Sequence, residues 1–144
     1  MVRIEAAAEG DLEPLRALLA SVGLPTEGLG EHLGTALVAR EGEAVIGCVA
    51  LEVYGDAALL RSLAVVPPWQ GRGLGRRLAQ AALELGRRAG VETFCLLTLT
   101  AREFFARQFG FRPVARTETP SAVRQSVEFA SACPATAQAM LLVA

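Results

Sequence analysis

A short glycine-rich segment is the part of this sequence that most directly predicts chemistry. It reads Gln70-Gly71-Arg72-Gly73-Leu74-Gly75 and follows an apolar run, Leu59 to Val66. Glycine has no Cβ, so the main chain can turn tightly and several N–H groups can point at one place. The loop ends where an amphipathic helix is predicted to begin, and the unpaired N–H groups and dipole of a helix N-terminus favour phosphate oxygens. The segment therefore predicts an anion-binding turn between a strand and a helix.

Spacing separates the known kinds of phosphate-binding loop. A P-loop requires a lysine after its last glycine, and this chain contains no lysine. A dinucleotide-binding loop requires a third glycine at the position of Arg76. The pattern that remains is a strand followed by Gln/Arg-x-x-Gly-x-Gly, and the alternative is a glycine-rich turn that binds nothing.

This remaining pattern resembles the pyrophosphate loop of the GNAT superfamily of N-acetyltransferases, which bind acetyl-coenzyme A. The stretch from Leu96 to Phe111 is similar to N-acetylglutamate-synthase-type members. Other short stretches are similar to small acetyltransferases associated with arsenic-resistance operons. They are Tyr54–Asp56, Leu60–Val65, Glu128-Phe129 and Cys133-Pro134. The resemblance covers nearly the whole chain. It implies one domain, residues 1–144, of α+β class, with a mixed, mostly antiparallel sheet flanked by helices.

The resemblance also implies which groups hold the cosubstrate, acetyl-CoA. Main-chain groups of Leu63 and Val65 are expected to contact the pantetheine arm and the thioester carbonyl, with the Val65 N–H as oxyanion donor. The loop residues are expected to bind the pyrophosphate through their amides. They are Gln70, Gly71, Arg72, Gly73, Gly75 and Arg76.

Two charged residues in predicted strands are candidates for chemistry at the acceptor. Glu52 is predicted to be the general base that deprotonates an amine, and the alternative is a solvent-facing strand end. Arg61 lies within an apolar run, where an unpaired charge is costly to bury. It either meets an internal carboxylate or binds the carboxylate of an amino-acid-like substrate, and we favour the second. By resemblance Thr98 and Thr100 line the same cleft, with β-propensity and helix capping as their alternatives.

One expected catalytic group is missing. Many members of the superfamily carry a tyrosine four residues before the Gly-Phe element, and it protonates the leaving thiolate. That position is Ala106 here, one residue of slippage gives Phe105, and the single tyrosine, Tyr54, lies in another element. A thiol of pKa about 8.5 leaves without much protonation, so transfer does not require this acid. We therefore predict direct acetyl transfer to the primary amine of a small molecule in a ternary complex. The alternative is a CoA-binding sensor or interaction module with little or no turnover.

Hydrophobic periodicity predicts the elements that position these residues. A crossover helix follows the glycine-rich loop, so the strands on either side of it are expected to be parallel. A fourth helix is expected late in the chain, because Thr119-Pro120 reads as a cap followed by a proline at the first helical position. The predicted strands are 2–6, 35–40, 43–53, 57–66, 91–99, 111–115 and 137–143, and the predicted helices are 12–22, 74–89, 101–109 and 120–132.

Composition narrows the classes of partner. A formal net charge of −1 gives no electrostatic basis for binding nucleic acid. Three dispersed cysteines and a single histidine, His32, predict neither a disulfide framework nor a metal site. No apolar run reaches the roughly 18 residues of a membrane helix, and the N-terminus lacks the apolar core of a signal peptide. We expect a cytoplasmic protein without membrane contact, in which exposed edge strands would allow a homodimer.

Overall fold

The computed structural model describes residues 1–143, so Ala144, the last residue of the predicted domain, lies outside the described residues. The chain forms a sheet with helices packed on both faces. The strands are β1 (Val2–Ala6), β2 (Ala36–Glu41), β3 (Ala44–Tyr54), β4 (Ala57–Val65), β5 (Thr93–Thr98), β6 (Arg112–Val114) and β7 (Gln138–Val143). The α-helices are α1 (Leu12–Ser21), α2 (Leu74–Arg88) and α3 (Arg102–Phe109). These elements agree with the predicted ones to within two residues at each end.

The sheet is mixed and mostly antiparallel, as predicted. Its strands lie in the order β1-β2-β3-β4-β5-β7-β6. Every neighbouring pair is antiparallel except β4 and β5, which are joined by the crossover helix α2 and run parallel. Because β4 and β5 lie at the centre of the sheet, the glycine-rich loop that follows β4 is held beside its middle.

The long apolar run of β3 is explained by burial on both faces. Side chains alternate along a strand, so Val49 and Leu51 pack in the cluster that contains α2. Cys48 and Ala50 point the other way and pack with α1. Helix α2 lies so close to the sheet that a Cβ at Gly86 would come within 2.5 Å of the Phe94 ring. This close approach fixes α2, and the loop before it, against β4 and β5.

The two central strands separate along their length. β4 and β5 pair only between Ala57–Leu59 and Thr93–Cys95. Farther along β4 the register with β3 shifts between Cys48 and Ala50, which leaves a bulge around Ser62. Ser62 has φ of 61°, a left-handed conformation, and a bulge of this kind bends a strand and increases its twist. The bend carries the end of β4 away from β5 and opens a gap in the sheet.

The predicted fourth helix, residues 120–132, is wrong. The chain forms a 3₁₀ turn at Val123–Gln125 and a π-helical turn at Glu128–Ala132. Between them Ser126 is extended, with ψ of 142°, and its Oγ accepts a hydrogen bond from the Glu128 N–H. Such a local bond from a serine to the main chain competes with helix formation. The break directs the Glu128 side chain inward.

Candidate active site

A cavity of about 620 Å³ occupies the gap between β4 and β5. We call it the β4–β5 cavity. Its walls also include the segment after α1, the start of α3 and the segment before β7. The polar side chains that line it are Arg61, Ser62, Gln70, Thr98, Thr100 and Glu128, together with the thiol of Cys133.

The glycine-rich loop presents a row of unused main-chain donors beside this cavity. Gly71 and Gly73 have φ of 76° and 81°, the left-handed region that favours glycine. None of the amides of residues 71–76 donates a hydrogen bond of normal length and angle to the main chain of residues 1–143. Gln70 differs, because its N–H donates to the Pro67 carbonyl at 3.1 Å. Six consecutive N–H groups at the N-terminus of α2 are therefore available to an anion.

Side chains of the loop hold it in place. Gln70 Nε2 donates to the Val65 carbonyl at 2.9 Å, which ties the loop to the end of β4. The Arg72 guanidinium lies 4.8 Å from the centre of the Trp69 ring, and Arg76 Nε donates to Gln108 Oε1 of α3 at 3.0 Å. Two guanidinium groups are thus fixed beside the free amides. Their positive charge adds to the attraction for phosphate.

The free edge of β4 offers main-chain groups to the gap. The Val66 N–H donates to the Ile46 carbonyl of β3 at 2.9 Å. Because successive residues of an antiparallel strand point their hydrogen-bonding groups to opposite edges, those of Val65 face away from β3. The same alternation turns Leu63 toward the gap. Both residues predicted to contact a thioester arm therefore present their main chain to the β4–β5 cavity.

The two threonines also line the cavity, and Thr98 rather than Thr100 caps α3. The Thr98 Oγ1 accepts a hydrogen bond from the Ala101 N–H at 2.9 Å, so Thr98 stabilises the start of α3. Thr100, for which helix capping is the alternative role, is exposed and does not cap α3. The turn at the end of β5 places Thr98 one helical turn before α3, and this explains the difference. The Thr100 side chain is free to meet a ligand.

A buried cluster of charges lines part of the cavity wall. Arg61 Nη1 donates to Glu52 Oε2 at 2.8 Å, and Arg61 Nε lies 3.3 Å from Glu128 Oε2. The three side chains are between 0% and 4% exposed. Of the two alternatives for Arg61, an internal carboxylate is therefore present. Arg61 has two such partners, Glu52 and Glu128. Arg61 also lines the cavity, so the ion pairs do not remove it from contact with a ligand.

Glu52 is not the solvent-facing strand end that alternation suggested. It is 1% exposed, because the 3₁₀ segment before β2 and the segment around Ser126 cover this end of β3. The Tyr54 hydroxyl donates to Glu52 Oε1 at 2.5 Å, and His32 Nε2 lies 3.5 Å from the same oxygen. Burial alone would raise the pKa of the Glu52 carboxyl, but hydrogen bonds from Tyr54, Arg61 and Ser126 outweigh it and hold the pKa below its ordinary value. Glu52 is an ionised partner of Arg61.

Glu128 and Cys133 are site residues that the sequence did not assign. Glu128 is 3% exposed, lines the cavity, and accepts a hydrogen bond from the Cys133 thiol at 3.5 Å. Burial raises the pKa of the Glu128 carboxyl, and the Arg61 charge only partly offsets this. Burial and the neighbouring Glu128 charge raise the pKa of the Cys133 thiol to about 12, so the thiol stays protonated. The sequence signal that could have found these two residues is the similarity of Glu128-Phe129 and Cys133-Pro134 to the small acetyltransferases.

Helix α3 contributes no proton donor at the expected position. Phe105 is 5% exposed and lines the cavity, whereas Ala106 is exposed on the outer face of the helix. Tyr54 lies in a second depression, with Glu52 and His32. The helix turn therefore directs the phenylalanine into the cavity, where an acid would be expected by resemblance.

Among residues 1–143, no group of three or more His, Cys, Asp or Glu side chains is arranged to hold a metal ion. No helix in the same part of the chain is long and apolar enough to cross a membrane.

Comparison of the sequence with known proteins identifies its relatives. Residues 8–111 match the model of the acetyltransferase (GNAT) family. The chain is also 31% identical over 98 residues to an uncharacterized N-acetyltransferase of Chlorobaculum tepidum, an alignment that covers 67% of this chain. It covers 62% of the relative, so the chain spans less than two thirds of that protein.

Solved structures show the same fold. N-acetylglutamate synthase from Neisseria gonorrhoeae, complexed with coenzyme A and N-acetyl-glutamate, superposes with a TM-score of 0.84 at 24% identity. This superposition covers 99% of the present chain and 35% of the synthase. A Mycobacterium tuberculosis protein in complex with CoA superposes with a TM-score of 0.81 at 25% identity, over 99% of both chains. The predicted α+β fold of GNAT type is confirmed, and because the family model matches most of the sequence, the chain belongs to the acetyltransferase (GNAT) family.

Proposed function

We propose that this chain is an acetyl-CoA-dependent N-acetyltransferase that acetylates the primary amine of a small, amino-acid-like molecule by direct transfer. The observation that carries this proposal is the row of free amides at residues 71–76, beside a cavity that opens between two separated strands. An anion-binding helix N-terminus suits the pyrophosphate of CoA. The gap suits its extended arm. Both features lie in the segment matched by the family model.

The cosubstrate side of the site follows from the main chain. The amides of Gly71, Arg72, Gly73, Gly75 and Arg76 would bind the pyrophosphate, and Gln70 would act by fixing the loop, since its own amide is occupied. Leu63 and Val65 would pair with the pantetheine arm as a neighbouring strand does. The solved relatives that contain CoA support this assignment.

The Val65 N–H would stabilise the reaction's transition state. It faces the gap, so it can donate to the thioester oxygen as negative charge develops there. Such an oxyanion donor typically contributes about 10²- to 10³-fold to the rate. The amine nitrogen would attack the carbonyl carbon, and the CoA thiolate would leave with the electrons of the C–S bond.

The acceptor would lie at the charged end of the cavity. Arg61 and Glu128 line it there, so an acceptor with both a carboxylate and an ammonium group finds a partner for each. Thr98 and Thr100 would contribute polar contacts near the end of β5. The synthase relative is complexed with N-acetyl-glutamate, an acetylated amino acid, and this supports an amino-acid-like acceptor.

The proposal is tested by release of CoA thiol. The protein is incubated with acetyl-CoA and a panel of L-amino acids, polyamines and amine antimetabolites, and acetylated products are identified by mass spectrometry. We expect thiol release above the protein-free blank for at least one acceptor, with an equal amount of N-acetylated product. Binding of acetyl-CoA without thiol release for any acceptor would contradict it.

That second outcome defines the alternative, a CoA-binding sensor or interaction module. The observation that favours it is Phe105, which occupies the cavity where a proton donor is expected by resemblance. A thiolate of ordinary basicity needs little assistance to leave, so we place the enzyme first.

We also propose three properties beyond the reaction itself. An association with arsenic resistance follows the similarity of the segments around Tyr54 and Glu128. The use of acetyl-CoA as cosubstrate would suit a cytoplasmic location. A homodimer would use the free sides of the edge strands β1 and β6. β6 carries Pro113, which lacks an N–H, so β1 is the better edge for pairing.

A further inference from the structure

The two carboxylates that share Arg61 have different surroundings. Glu52 contacts Arg61 and lines the second depression, together with His32 and Tyr54. Glu128 also contacts Arg61 but lines the β4–β5 cavity. Two carboxylates whose environments push their pKa values apart take different parts in acid–base chemistry.

Glu52 is fully engaged by donors. Tyr54 Oη holds one of its oxygens at 2.5 Å, and Arg61 Nη1 holds the other at 2.8 Å. His32 Nε2 is a further neighbour at 3.5 Å. A carboxylate with this many donors is a weak base and stays ionised. Its geometry suits the positioning of Arg61 rather than proton transfer to a ligand.

Glu128 has weaker hydrogen-bond partners than Glu52, and a ligand in the β4–β5 cavity can reach its carboxylate. Its contact with Arg61 Nε is longer, at 3.3 Å, and its other oxygen accepts from the Cys133 thiol at 3.5 Å. A thiol is a weak donor. The carboxylate is therefore held in one place, keeps accepting capacity, and faces the space where an acceptor amine must lie to reach the thioester.

Resting on the proposed function, we propose that Glu128, rather than Glu52, is the general base of the acetyl transfer. Its carboxylate takes a proton from the acceptor ammonium. The free amine then attacks the thioester carbonyl carbon, a C–N bond forms, and the C–S bond breaks with its electrons going to sulfur. The second nitrogen proton passes to the thiolate, directly or through water, which gives the amide and CoA thiol. Glu128 returns its proton to solvent, so one proton is released per turnover.

The charges around Glu128 are compatible with this role. The groups that act on it are Arg61 of β4, Glu52 of β3, Glu27 of the segment after α1, and Cys133 of its own turn. Burial, the largest effect, raises the pKa of Glu128, and the two other carboxylates act in the same direction. A base is most effective when its pKa lies near the working pH, so this shift favours proton exchange at neutral pH.

The test is the pH dependence of Glu128→Gln with the fastest acceptor of the amine panel. At pH 7 we expect kcat/KM to fall by about 10²- to 10⁴-fold, the usual contribution of a general base. The defect should shrink as the pH approaches the pKa of the acceptor amine, because solvent then supplies free amine without a base. A merely structural role would lower the rate by the same factor at every pH, and that result would overturn the proposal.

Controls separate this proposal from the function on which it rests. Glu43→Gln, at an exposed glutamate of the β2–β3 turn, should keep wild-type rates at every pH. Acetyl-CoA affinity of Glu128→Gln, measured by calorimetry, should stay within twofold of wild type. Equal turnover by wild type and Glu128→Gln overturns the general base alone. Absence of wild-type turnover with every acceptor overturns the enzyme and the general base together.

A second variant covers a failure of Glu128→Gln to fold. Glu128→Asp keeps a carboxylate but draws it back by one methylene. We expect it to retain the wild-type shape of the pH profile at a lower kcat. An unchanged kcat in this variant would overturn the proposal.

Discussion

Arg61 is the residue whose environment most constrains the site. Its side chain is 0% exposed and serves two carboxylates, so one positive charge is buried with two negative ones. Such a cluster persists only when every member keeps its partners, because an unpaired buried charge is costly. The cluster therefore fixes the relative positions of β3, β4 and the segment that carries Glu128.

Removal of Arg61 should destabilise the whole protein. Arg61→Ala leaves Glu52 and Glu128 buried without their shared cation, and breaking a buried pair in this way typically costs about 3–5 kcal/mol. We expect a fall of this size in the free energy of unfolding, measured by urea denaturation at pH 7. The matched control is Arg88→Ala, which removes an exposed arginine 3.7 Å from Glu84. Exposed pairs contribute about 0–1 kcal/mol, so this variant should remain near wild type.

The opposite outcome would also be informative. If Arg61→Ala is as stable as Arg88→Ala but has a higher KM for a carboxylate-bearing acceptor, the ion pairs are weak. Binding of the acceptor carboxylate would then be the main role of Arg61, as the sequence first suggested.

Glu52 should make stability depend on pH. Its pKa is lowered from the ordinary 4.5, so its stabilising contribution is fully present above that value and is lost as the pH falls through the folded-state pKa. Glu52→Gln should therefore be less stable at pH 7 by about 1.5–3 kcal/mol, the net value of hydrogen bonds to charged groups. The difference from wild type should disappear well below pH 4.5.

Thermal unfolding at neutral and acid pH measures this difference. Glu43→Gln again serves as the control, because its glutamate is exposed in a turn. A deficit that is the same at both pH values would mean that shape and hydrogen-bond geometry, rather than ionisation, account for the effect of Glu52→Gln.

At the level of elements, the junction of β4 with α2 carries the proposed donor site. β4 ends at Val65, a short 3₁₀ turn at Pro67–Trp69 redirects the chain, and α2 begins at Leu74 after two left-handed glycines. Within residues 1–143, none of the amides of residues 71–76 donates to a main-chain carbonyl. An element boundary of this kind binds anions because its donors are already oriented and no reorganisation is needed.

Gly73→Ala should weaken acetyl-CoA binding. Gly73 has φ of 81°, and a residue with a Cβ pays about 1–2 kcal/mol in the left-handed region. The loop would relax away from this geometry and lose the convergence of its amides. Gly90→Ala is the matched control, since Gly90 has φ of 90°, also has no atom within 4 Å of the added Cβ, and lies at the other end of α2.

Calorimetry with acetyl-CoA and thermal unfolding distinguish the two variants. Both should lose a similar amount of stability, but only Gly73→Ala should lose affinity, by at least tenfold. Equal affinity of the two variants would remove the phosphate-binding assignment from the loop.

At the level of the whole molecule, the sheet topology creates the site. In residues 1–143 seven strands form one sheet, but its single parallel pair is short and the bulge near Ser62 bends β4 away from β5. The gap breaks the sheet where main-chain groups would otherwise pair with each other. α1 and α2 pack on opposite faces of the sheet. An extended ligand can replace the missing strand.

Local patterns made most of the fold predictable. Apolar periodicity placed strands and α-helices to within two residues, because burial of one or both faces leaves a direct trace in the sequence. The segment 120–132 was predicted as a helix because its apolar spacing fits one. The hydrogen bond from the Glu128 N–H to the Ser126 hydroxyl, which breaks it, leaves no periodic signal.

The sequence alone determined the glycine-rich loop, its family resemblance and the absence of a tyrosine before Gly110, since each depends on residue types at short spacing. The tertiary structure decided the partners of Arg61, the burial of Glu52 and the entry of Glu128 into the cavity. Residues 52, 61 and 128 are brought together by strand pairing and by an irregular turn. Burial and charge pairing between distant segments depend on that packing, so no local pattern encodes them.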